Sequence, residues 1–182
     1  MTSDRDLGKK MVEEEELRYF IDAYKHTTGD MLTVYRSETP DFVGHRSKGS
    51  KVGVELTQIR RDPETAFADS VFRHRDYMDS SDALDCIYGL VEKKAETFSK
   101  AGKGIMRRTV LVLQLIDCPL NDLRPILDRS LQQDFSSYGF AEIWLADYTD
   151  VEAYGSIELF GLSPRKWWGH HSGPDRDGKP YG

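Results

Sequence analysis

The chain has 182 residues, 38% of them hydrophobic and 31% charged, with a formal net charge of −6. That length gives one domain of α/β size, and nine Tyr, eight Phe and three Trp argue against a wholly disordered chain. The acidity excludes bulk attraction to nucleic acid, so any contact with a polyanion must run through a local basic patch or a metal.

Residues 9–26 carry Leu17, Phe20, Ile21 and Tyr24 at helical spacing, and Thr27-Thr28-Gly29-Asp30 ends that helix. Strand formers follow at 31–36 (MLTVYR) and, after Pro40, at 41–44; Ser47-Lys48-Gly49-Ser50 is a turn. Residues 51–59 (KVGVELTQI) read as a third strand, with Val52, Val54 and Leu56 on one face and Gly53, Glu55 and Thr57 on the other. A helical stretch over 63–100, broken near 79–82, carries Ile87, Leu90, Val91 and Phe98 on one side. Residues 109–117 (TVLVLQLID) are nearly continuously apolar, as a strand covered on both faces would be. A helix over 123–135, a strand over 140–148 and a short strand over 156–161 complete the order. The expected organisation is a single domain over 1–162, a mixed sheet flanked by helices, followed by an extended Gly/Pro-rich tail over 163–182. The tail contains Trp167-Trp168 and His170-His171, a segment whose Trp pair could fold back on the core.

Cys86 and Cys118 lie outside any CxxC, the expectation for thiols in a reducing compartment. The first residues show no apolar signal region, and no apolar run is long enough to span a membrane, so a cytoplasmic, membrane-free protein is expected. No GxSxG, P-loop or GxGxxG is present, which leaves a serine hydrolase, a P-loop nucleotidase and a Rossmann dehydrogenase without support.

The informative feature is the hairpin carrying Pro40-Asp41 and Glu55. If residues 41 and 55 face each other, the register centre is residue 48, inside the turn. Both carboxylates then project from one sheet face with β-carbons roughly 5 Å apart. Two acids that close repel unless a proton is shared or a cation lies between them, and oxygen ligands suit Mg²⁺ or Mn²⁺. The same residues also admit a structural reading, in which Asp41 ends a turn after Pro40 and Glu55 faces solvent. Against it, Glu55 interrupts an apolar strand and needs a partner.

Two helices offer companions. In the run Glu13–Glu16, Glu13 falls within the apolar stripe of the first helix, Glu14 at its edge, Glu16 more laterally, and Glu15 away from it. On the second long helix Lys94 lies in the middle of the buried stripe, with Lys93 toward the polar side. Either Lys94 snorkels to the rim or it reaches a carboxylate. Residues 93–108 hold six Lys or Arg and one Glu, a local +5. That run is either a solvated helix end or a patch for a phosphate backbone, in which Lys93, Lys100 and Lys103 join Arg60 and Arg61, with Arg46, Lys48 and Lys51 extending it.

Pro40-Asp41, thirteen intervening residues, then Glu55-Leu56-Thr57, inside an αβββαβ layout with an acidic first helix, resembles the PD-(D/E)XK nuclease superfamily, the restriction-endonuclease-like fold. In detail the stretch is similar to bacterial members with a PDF…VGVELT core. The element order of the resemblance spans residues 9–148, its sharp motif only 38–59. It implies a metal-dependent nuclease: Asp41 and Glu55 as Mg²⁺ or Mn²⁺ ligands, Glu13 or a neighbour as accessory acid, and nucleic acid, DNA in preference to RNA, as partner. The family's lysine two residues after the second acid is Thr57 here, and Lys94 is the candidate for a migrated lysine. Without an equivalent lysine the resemblance implies a non-catalytic protein-interaction module on the same fold, with a homodimer among its partners.

Overall fold

A computed structural model describes residues 3–60, 78–129 and 134–174. The first helix, α1 (Asp4–Thr28), starts on Ser3, whose Oγ accepts from the Asp6 N–H at 3.3 Å. Only its second half is anchored: Leu17, Phe20, Ala23 and Tyr24 are buried, whereas Leu7, Met11 and Val12 are exposed. Three strands follow, β1 (Thr33–Arg36), β2 (Phe42–His45) and β3 (Lys51–Ile59), joined as antiparallel neighbours. Then come α2 (Ser80–Ala101), capped by the Asp79 carboxylate, and the single turn α3 (Lys103–Met106). The remaining elements are β4 (Thr109–Leu115), α4 (Leu120–Arg129), a 3₁₀ turn at Phe135–Tyr138, β5 (Glu142–Asp147), the short α5 (Val151–Tyr154), β6 (Glu158–Ser163), a 3₁₀ turn at Arg165–Trp167 and β7 (Gly169–His171).

The seven strands form one mixed sheet in sequential order. β3, β4 and β5 run parallel, as crossovers through α2 and α4 require, while β1–β2–β3 and β5–β6–β7 are antiparallel. Every residue of β4 is buried, and its alternation feeds two cores. Val110 and Val112 meet Leu17, Phe20, Tyr24 and Trp144 on the α1 side, while Leu111, Leu113 and Leu115 meet Ile87, Val91, Phe98 and Leu123 on the other. This is the mixed α/β sheet flanked by helices that the residue pattern predicts.

Two differences stand out. The expected helix over 123–135 stops at Arg129, and a separate 3₁₀ turn carries Phe135 into the core. The first part of the expected 63–100 helix, together with Arg61, lies outside the described residues. The segment after Ser163 is not a free tail: β7 pairs with β6, and Trp167 stacks 5.9 Å from Trp144 and Trp168 5.5 Å from Phe160. Composition hid this, because Pro and Gly there shape a turn against the sheet rather than detach the chain. Residues 175–182 lie outside the described residues.

Candidate active site

β2 pairs with β3 only from Phe42↔Val54 to His45↔Lys51. Before Phe42 the chain turns away through Pro40, so among the described residues the second half of β3, from Glu55 onward, has no strand on that side. Asp41 stands at the fork. Its Oδ2 accepts from the Leu56 N–H at 3.0 Å, and its own N–H donates to Glu55 Oε2 at 2.9 Å. Asp41 and Glu55 therefore come together just beyond the last pair of a ladder whose register is centred on residue 48. Glu55 is 7% exposed and does not face solvent.

Its partner is Lys94. The α2 stripe of Ile87, Val91 and Phe98 packs on the Leu111 side of the sheet, the side on which Glu55 projects. This turns Lys94 inward, and its Nζ lies 2.7 Å from Glu55 Oε1. Burial, followed by the charge of Glu55, pushes the Asp41 carboxyl up to about 6, against the smaller opposing pull of the Leu56 N–H and of Lys94.

The cleft over this cluster has a volume of about 610 Å³ and reaches round the open edge of β3 to α1. Glu13, Glu16 and Lys9 line it from α1, Arg60 and Gln58 from β3 and beyond, and Gln114 from β4. Glu13 lines the cleft, and its Oε2 is held at 2.9 Å by Arg36. Glu16, read as lateral, reaches β3 and β4: it accepts from Gln114 Nε2 at 2.9 Å and Gln58 Nε2 at 3.4 Å. A signal for it existed, since Gln114 interrupts an otherwise apolar strand and a buried amide requires a partner.

The basic residues divide. Lys94 and Arg60 are at the cleft, whereas Lys93, Lys100 and Lys103 are exposed and outside its lining; Lys100 pairs with Glu96 at 3.7 Å along its own helix. Arg46 does not extend a surface patch. It turns inward, donating to Tyr24 Oη at 2.7 Å, Asp30 Oδ2 at 3.1 Å and Glu142 Oε2 at 3.2 Å.

Among the described residues no group of three or more His, Cys, Asp or Glu side chains lies close enough to hold a metal. The apposed pair Asp41 and Glu55 offers two carboxylate ligands. That donor set suits Mg²⁺, which is commonly bound through one or two carboxylates with water and substrate phosphate completing the shell. Among the described residues no helix is long and apolar enough to cross a membrane. Compared with protein families, curated proteins and solved structures, the chain gives no significant match.

Proposed function

We propose that this protein is a divalent-cation-dependent nuclease of PD-(D/E)XK type, hydrolysing phosphodiester bonds in nucleic acid, DNA in preference to RNA. The observation that carries the reading is the Asp41–Glu55–Lys94 cluster at the open edge of β3. A half-buried Asp41 beside the buried Glu55, with Asp41 pushed up to about 6, is an arrangement that a bound cation relieves. Asp41 and Glu55 would hold Mg²⁺ or Mn²⁺. When bound, such an ion lowers the pKa of a coordinated water and offsets charge on the scissile phosphate. Lys94 supplies the ammonium that Thr57 cannot. From α2 it fixes the Glu55 carboxylate and stands ready to orient an attacking water or to counter developing negative charge. Arg60 and Lys9, at the cleft wall, supply charge for a phosphate backbone in a chain that is acidic overall. The αβββαβ order with PD…E at its centre further supports the assignment.

The test is cleavage of single- and double-stranded DNA and of RNA by the full chain with Mg²⁺ or Mn²⁺, alongside calorimetric titration of the ion. Glu55→Gln should lower cleavage by about 100-fold or more and weaken ion binding. Cleavage that persists in Glu55→Gln would overturn the assignment. Absence of both ion binding and cleavage in the wild-type chain would leave the non-catalytic interaction module in its place.

A further inference from the structure

A second cavity, of about 480 Å³, lies on the face of the sheet from which Glu55 projects. Helix α2 packs over the far half of β3 and over β4, and leaves the corresponding face of β1 and β2 bare. Tyr35 and Val43, cross-strand partners in β1 and β2, are 70% and 41% exposed there. Pro40 and Ile105 form the walls, and Lys51 and Arg108 stand at the rim. Gly53 makes the wall possible: a Cβ on it would lie 2.4 Å from Pro40 Cγ, so only glycine lets the proline ring rest against β3. Neither Lys51 nor Arg108 makes an ion pair with the described residues, although the chain carries more acids than bases.

An apolar pocket of this size with an exposed Tyr and two cations that make no ion pair among the described residues selects a ligand that is flat and apolar at one end and anionic at the other. A nucleobase with its phosphate has both properties. The cavity also adjoins the acid cluster, with Pro40 between them. Pro40 adjoins Asp41 in sequence, and Gly53 and Glu55 are alternate residues on one face of β3, about 7 Å apart. We infer that the cavity receives an unstacked base and its phosphate from a single strand, or from a locally unpaired stretch, whose neighbouring phosphodiester lies at Asp41 and Glu55. The inference rests on the nuclease reading and gives it a substrate class, because a base held in a duplex stack cannot enter such a pocket.

Fluorescence anisotropy of labelled decathymidylate in EDTA reads the binding without cleavage. Blunt duplex of the same length and thymidine monophosphate serve as competitors. Tyr35→Ala, at an exposed position, should weaken strand binding by about 5- to 150-fold, the range for losing one aromatic–base stack. Lys51→Ala with Arg108→Ala should reduce the slope of log K against log salt by about 1.4, as expected for two lost phosphate contacts on a single strand. Wild-type binding by both variants overturns the inference. So does duplex competing as well as single strand, and so does monophosphate competing as well as the decamer, which would mark a free-nucleotide pocket. Loss of the nuclease reading looks different: strand binding that depends on Tyr35 with no cleavage under any metal keeps the pocket and removes the hydrolysis.

Discussion

At Asp41, burial and the neighbouring Glu55 favour the protonated acid, while the Leu56 N–H and Lys94 favour the anion; the first pair wins and the group titrates near 6. The folded chain thus holds this proton more tightly than the unfolded chain, whose Asp titrates at about 3.9. The stabilisation is fully present below about pH 3.9 and is lost as pH rises through about 6. Asp41→Asn should therefore raise stability at about pH 7.5, by an amount of order 1 kcal/mol after allowance for partial exposure. It should also flatten the decline in stability between about pH 4 and 6. Urea melts across that range check both, and a less stable Asn variant at neutral pH would contradict the account. A cation competing with the same proton should bind more tightly as pH rises through about 6, which calorimetry at several pH values reads directly. The pair itself was legible in the sequence because one turn centre, residue 48, fixes both acids to one sheet face. Glu16 was not, because its facing was judged from helix α1 alone, without the sheet edge where Gln58 and Gln114 wait for an acceptor.

Lys94 and Arg46 show what an element can and cannot announce. Lys94 falls in the apolar stripe of α2 by helical periodicity, and a charge at that place must either snorkel or find an acid. Glu55, an acid in an apolar strand, poses the complementary demand, and the two meet. Their side chains are 26% and 9% exposed, between a surface and a buried pair. Lys94→Met should destabilise by about 1–3 kcal/mol, because Glu55 loses its charge-assisted partner. Adding Glu55→Gln should recover most of that loss, and a double-mutant cycle in urea gives the coupling. Arg46 joins α1, the residues after it, and β5 through Tyr24, Asp30 and Glu142. Those partners are scattered along the chain, and no periodicity links a turn arginine to them; sequence spacing therefore assigned it to a surface patch. Arg46→Met would leave the buried Glu142 with the Tyr24 hydroxyl, which donates to its Oε2 at 2.7 Å, but without the guanidinium, and should cost about 3 kcal/mol, while leaving the cleft at β3 intact.

Across the whole molecule, the two edges of the sheet differ. The β1–β3 edge carries the acids and the second cavity, and the β6–β7 edge closes the core. Four strand spacings, about 19 Å, lie between β3 and β7. The closure depends on Gly161, where a Cβ would stand 2.1 Å from the Trp167 carbonyl oxygen, and on the Trp167 and Trp168 rings packed over Trp144 and Phe160. A chain ending at Ser163 loses both rings and the β7 pairing. It should lose on the order of 3 kcal/mol, the lower range for removing a buried Trp, since both rings remain partly exposed. Trp144 is then the only tryptophan left of three, so its fluorescence reports the core without interference. The emission should shift to longer wavelength as solvent reaches the indole, and the urea midpoint should fall. Cation binding per folded molecule should persist, because nothing at β7 touches Asp41, Glu55 or Lys94. An unchanged midpoint would return the segment to the free tail that its proline and glycine content suggests.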